Sequence, residues 1–268
     1  MDTLTRKSDA FSKRIHEIDF IRGLLMMLVI MDHLFWAFKS YSFRIYGASG
    51  IEFYNVIYQI FNFYWTNPAR EVVRQLVLFG FIFVSGISSS FSKNNWKRAG
   101  LMLAVWMGLA IVTSILEAVQ GGAISTHVKV DFNVIGVLAW SILIYCFVQN
   151  KSWKGILATG LILLSVSFVV IPVLEAIPGL KENARIPMLW KPDDNADWLP
   201  LFPYIFYFFL GAVVGKLYYA DHKSLIANRK DFERPFCFVG RHAIWIYFAH
   251  EPIIMLIGVL ALTVYGVH

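Results

Sequence analysis

Apolar residues run along this chain in blocks of about 20, separated by short polar clusters, and a block of that length is what an α-helix needs to cross a bilayer core. About seven such blocks predict membrane-spanning helices at 18–38, 72–91, 99–119, 132–149, 153–174, 201–220 and 236–262. The predicted fold is all-α, a polytopic membrane helix bundle. The stretch "IEFYNVIYQIFNFYW" (51–65) is apolar but short and aromatic, which fits a helix lying in the membrane interface, or an eighth span if it crosses. No internal repeat or low-complexity tract interrupts the pattern, so residues 1–268 read as a single transmembrane domain.

Composition agrees. With 57% hydrophobic and 16% charged residues, the chain is too apolar for a soluble domain with a solvated surface. The net charge of +6 does not point to nucleic acid, because Lys and Arg lie in clusters between apolar blocks and not along one face. Those clusters alternate: Arg6, Lys7, Lys13 and Arg14 precede the first block, Lys93, Lys97 and Arg98 follow the second, Lys151 and Lys154 the fourth, and Lys223, Arg229, Lys230 and Arg234 the sixth. Basic loops mark the cytoplasmic side, so the amino terminus is predicted to be cytoplasmic and the carboxyl terminus outside. The aromatic segment 39–71, the connection 120–131 and the loop 175–200 then face outward. The two cysteines, Cys146 and Cys237, sit in or beside apolar runs and read as buried hydrophobes. The first apolar block exceeds a signal-peptide core and no small-residue cleavage site follows it.

The first block, "IDFIRGLLMMLVIMDH", carries ionisable residues that cost a few kcal/mol each in hydrocarbon and are therefore functional by default. At 100° per residue, Asp19, Arg22 and His33 fall within about 60° of one another, and Asp32 points to the other side. From Asp19 to His33 the helix rises roughly 21 Å, so the stripe joins the cytoplasmic edge to the outer half. Asp19 and Arg22 also read as an i,i+3 ion pair anchoring the helix. In the last block, "GRHAIWIYFAHEPI" places Gly240, Ala243, Tyr247 and His250 on one face, with small residues for close helix approach. His250 lies roughly 14 Å above Arg241 by helical rise, so His33 and His250 can meet in the outer half of the membrane. Pro252 beside His250 can kink the helix and free a carbonyl there.

Two buried histidines suit proton transfer near neutral pH. A metal site is not expected, since no H-x-x-x-H or Cys–His cluster supplies further ligands. No Walker loop, dinucleotide fingerprint or G-x-S-x-G elbow is present, and the serines of "FVSGISSSF" (83–91) read as small residues for helix packing. A transporter or channel relaying protons through the same His, Asp and Arg residues is the rival reading, and a non-catalytic membrane scaffold a third.

"IDFIRG" with His33 fourteen residues after Asp19, then "LFGFIFVSGIS" (78–88), "FNVIGVL" (132–138), "DWLPLFPYIFYFFLGAVVGKL" (197–217) and "VGRHAIWIYFAHEPI" (239–253) occur in order over most of the chain. Together they resemble the catalytic-domain family of heparan-alpha-glucosaminide N-acetyltransferase and its small prokaryotic relatives. The resemblance implies a transmembrane acyltransferase-like domain that takes an acyl group, acetyl above all, from acyl-CoA on the cytoplasmic side. The acceptor would be a glycan or lipid-linked sugar on the outer side of a prokaryotic cell membrane. Asp19, Arg22 and Gly23 match the family's opening motif, His33 an active-site polar position, Asp197, Pro200 and Pro203 the outer motif, and Gly240, Tyr247 and His250 the closing one. Asn133 stands where relatives carry a basic residue and Ala139 where they carry Gln or His, which bears on how donor or acceptor is positioned.

On these grounds His33, His250 and Asp197 are the predicted catalytic residues. The basic rim of Arg14, Arg22, Arg98 and Arg241, with Asp19 holding Arg22, is predicted to bind the phosphates of acetyl-CoA or another acyl-CoA. That co-substrate is the one cofactor expected, with no metal. Besides the two substrates the expected partners are membrane lipids; a homo-oligomer is left open.

Overall fold

The computed structural model describes residues 15–120, 129–184, 186–192, 197–221, 223–226 and 230–266. Every regular element among them is helical: α1 (His16–Ser49), α2 (Glu52–Thr66), α3 (Pro68–Ser90), α4 (Asn95–Gln120), α5 (Val134–Val148), α6 (Trp153–Glu175), α7 (Leu180–Ala184), α8 (Tyr204–Tyr218), α9 (Glu233–Arg241) and α10 (Ala243–Val264). A π-helical turn at Val166–Val170 lies within α6.

Helices α3, α4, α6 and α10 are long and apolar enough to cross a membrane. The predicted blocks at 132–149 and 201–220 form the shorter α5 and α8, of 15 residues each. Fifteen residues rise about 22 Å, less than a hydrocarbon core of ~30 Å. The first block is extended instead. No proline interrupts 39–49 and Gly47 keeps helical geometry, so α1 runs for 34 residues until Gly50 closes it at φ 68°, giving its N–H to the Tyr46 carbonyl at 2.8 Å. Part of the predicted outer loop is thus helix. The last block divides at His242 (φ −106°, ψ 14°), which ends α9 and begins α10, so helical rise is not continuous from Arg241 to His250.

The described residues form two compact units. One holds α1, α2, the start of α3, α9 and α10. Here α1 and α9 cross at two glycines: a methyl group on Gly23 would overlap the Phe236 carbonyl, and one on Gly240 the Asp19 carbonyl. Helix α2 lies on α1 through aromatic pairs, Phe35 with Phe61 and Tyr64 at 5.0 and 4.8 Å, and Phe43 with Tyr58 at 5.1 Å. Its opposite face, with Val56, Ile60 and Phe63, is exposed. Gly258 of α10 sits against the ring of Tyr41, bringing α10 alongside α1.

The other unit holds the end of α3 and α4 to α8. Helix α5 is apolar all round and buried, with Val137, Ala139 and Tyr145 at its centre. Gly86 of α3 meets the Phe208 carbonyl and Gly211 of α8 the Phe83 carbonyl, another close crossing. The hydroxyls of Ser88 and Ser89 donate to the Val84 and Ser85 carbonyls, so the serine-rich stretch is spent on helix packing.

Candidate active site

Histidines 33 and 250 lie side by side within the first unit, ring centroids 4.8 Å apart, with His250 Nε2 3.3 Å from His33 Nδ1. His250 is buried and His33 half-buried. A third group completes the array: Glu251 Oε1 is 2.8 Å from His33 Nδ1. Consecutive helix residues diverge by 100°, so Glu251 begins off the His250 face, yet its side chain is long enough to reach His33.

The partners fix the proton positions in the neutral rings. His250 Nδ1 lies 2.6 Å from the Tyr247 carbonyl, which only accepts, so Nδ1 carries the hydrogen and Nε2 presents a lone pair. His33 Nδ1 then faces two acceptors, that lone pair and the Glu251 carboxylate, and must carry a proton itself. Its Nε2 is therefore the basic nitrogen of the ring. A carboxylate holding one imidazole nitrogen so that the other can take a proton is the logic of a general base with an orienting partner.

Asp32, which points away from this array, has partners of its own. Arg70 Nε and Nη2 donate to its two oxygens at 2.8 and 2.6 Å, and the Tyr64 hydroxyl donates to Oδ1 at 2.9 Å. The Arg70 guanidinium also lies 3.5 Å over the Trp65 ring. The two polar residues at the far end of the opening stretch thus serve different ends. Asp32 ties α1 to α2 and α3, and His33 faces Glu251 and His250.

At the other end of the stretch, Arg22 Nη1 is 3.5 Å from Asp19 Oδ1 and donates to the Gly240 carbonyl at 3.5 Å. Asp19 and Arg22 form the i,i+3 pair that their spacing predicts, beside the glycine crossing. Arg241 donates from Nε to the Cys237 carbonyl one turn back. Arg98 and Asp197 belong to the other unit, where Arg98 Nη1 donates to the Ser89 hydroxyl at 3.2 Å and Asp197 lies half-buried in a bend. Arg14 lies outside the described residues.

Sequence reasoning missed Glu251 and Arg70. Each carried a signal: Glu251 is a charge within an apolar run next to an implicated histidine, and Arg70 is a basic residue in a segment otherwise read as outer loop. Asn133 has a structural role, its side-chain oxygen accepting the N–H groups of Ile135 and Gly136 as the N-cap of α5. Ala139 is fully buried inside that helix.

No curated protein and no solved structure is significantly similar to the chain. A family model described as "Heparan-alpha-glucosaminide N-acetyltransferase, catalytic" matches residues 14–252 and takes in α1, α9 and the site residues His33, His250 and Glu251. With helices fit to cross a membrane and this match over most of its length, the chain belongs to the heparan-alpha-glucosaminide N-acetyltransferase catalytic family of membrane acetyltransferases.

Proposed function

We propose that the protein moves an acetyl group from acetyl-CoA, supplied from the cytoplasm, to an amine or hydroxyl of a sugar-like acceptor on the outer side of a prokaryotic cell membrane. The observation that carries the proposal is the Glu251–His33–His250 array, a proton-accepting imidazole of α1 oriented by a carboxylate of α10. As the acceptor heteroatom attacks the thioester carbonyl, His33 Nε2 takes its proton. The carbon–sulfur bond then breaks, and the leaving thiolate of coenzyme A recovers that proton from the imidazolium. Glu251 stabilises the imidazolium while it exists, and the lone pair on His250 holds the ring in register.

For donor binding, Arg22 and Arg241 supply positive charge at the cytoplasmic end of the unit, and Asp19 keeps Arg22 in place. Arg98 keeps the role that the basic clusters of the sequence suggest, binding of the donor phosphates, and Asp197 that of a catalytic residue orienting the acceptor. The alternation of basic loops supports a cytoplasmic amino terminus and about seven crossings, with α1 and the shorter α5 and α8 added to the four long apolar helices. The test is purified protein given acetyl-CoA and a glucosamine-bearing acceptor, followed by mass spectrometry. The proposal expects acetylated sugar and free coenzyme A in equal amounts, and coenzyme A release without acetylated product contradicts it.

A further inference from the structure

We propose that His33, His250 and Glu251 also form a binding site for a divalent transition metal, zinc above all, and that the metal switches the acetyltransferase off. Two imidazole nitrogens and a carboxylate oxygen all lie within 4.8 Å of one another. Two histidines and a carboxylate are a three-ligand set that zinc accepts, with a fourth position left for water. The 3.3 Å between His250 Nε2 and His33 Nδ1 matches the edge of a tetrahedron with metal–nitrogen bonds of about 2.0 Å. His250 is already prepared as a ligand, because the Tyr247 carbonyl holds the hydrogen on Nδ1 and aims the Nε2 lone pair at the site. Ligating histidines ordinarily have such an outer partner. Other side chains leave the Glu251 carboxylate partly uncovered, so it can swing the remaining distance towards His250.

The switching chemistry follows from the tautomers. Coordination through His33 Nδ1 requires that nitrogen to give up its hydrogen. A neutral imidazole ligated through Nδ1 carries its hydrogen on Nε2, so the ring gains no charge and the hydrogen changes nitrogens by way of water. Nε2, the base in acetyl transfer, is then protonated and cannot accept the acceptor's proton. The metal and the reaction compete for one ring. The binding half of the proposal rests only on geometry, and the inhibitory half rests on the acetyl-transfer reading.

The test uses the full-length protein purified in detergent without chelator. Zinc binding is followed by equilibrium dialysis, cobalt(II) by its visible absorption as a reporter of tetrahedral coordination, and acetyl transfer is measured on the same samples. The expected result is one saturable zinc per chain and loss of transfer in step with occupancy. Affinity should fall in His33→Ala, His250→Ala and Glu251→Gln by more than the roughly 10- to 100-fold that loss of an outer partner costs. His242→Ala, which alters a histidine outside the array, should bind as the parent does. Glu251→Gln changes an exposed side chain, so it answers the question even where a histidine variant does not fold. No saturable binding, or binding unaffected by Glu251→Gln, overturns the site while leaving the acetyl-transfer reading intact. Site-specific binding without inhibition overturns the switch and counts against His33 as the base.

Discussion

His33 Nδ1 and Glu251 Oε1 stand 2.8 Å apart, joining one helix near the start of the chain to another near its end. In the proposed reaction Glu251 acts through the His33 ring it contacts, as a positioning residue. Glu251→Ala should lower kcat by about 10- to 100-fold and leave KM for acetyl-CoA nearly unchanged, a smaller loss than removing the base itself. Glu251→Gln keeps a hydrogen-bond acceptor without the charge and should fall between the two. Steady-state kinetics of both variants checks this, and an effect confined to KM for the donor contradicts it.

The Asp32–Arg70 pair should behave as structure. Its side chains are mostly buried, so Arg70→Ala leaves a carboxylate inside the protein with only Tyr64 to hold it. Breaking a buried pair from one side costs about 3 kcal/mol or more, and removing both partners costs less. Thermal unfolding in detergent should therefore rank Arg70→Ala below the Asp32→Ala/Arg70→Ala double variant.

Two glycines in α1 and α9 make a matched test of packing. Gly240→Ala drives a methyl group into the Asp19 carbonyl, an overlap of backbone that should cost about 1–3 kcal/mol and disturb the Arg22 contact beside it. Gly47 lies in α1 with open space around it, so Gly47→Ala should stabilise the helix by about 0.5–1 kcal/mol. Melting temperatures that shift in opposite directions bear this out.

Asn133 caps α5 from a buried position, and its replacement by alanine should cost about 0.5–2 kcal/mol, whereas Asn133→Ser should cost less because its hydroxyl oxygen can accept the same N–H groups without burying a charge. Equal losses in the two variants would assign Asn133 some other task.

The helical class, the embedded histidines and the family were legible in the sequence because each is written in local pattern or motif order. The stripe of Asp19, Arg22 and His33 needed only a 3.6-residue period. What sequence could not supply was side-chain reach and breakage. Glu251 lies 100° from His250 on the helix, and only the length of its side chain brings it to His33. His242 interrupts a block long enough to read as one continuous helix, and its break is a backbone event with no proline or glycine at the position. Helix α1 outran its predicted end because the aromatic stretch after 38 read as an outer segment, yet it holds no proline and its one glycine, Gly47, stays helical before Gly50 closes the helix. The role of Arg70 was hidden for a different reason, since its partner Asp32 lies 38 residues away.

The central claim is that His33 is the base in acetyl transfer, and turnover of folded His33→Ala beside donor affinity measured on the same preparation tests it most directly. The predicted result is a fall of roughly 100- to 10,000-fold in kcat with acetyl-CoA binding nearly unchanged. Near-parental turnover in a folded His33→Ala protein would contradict it.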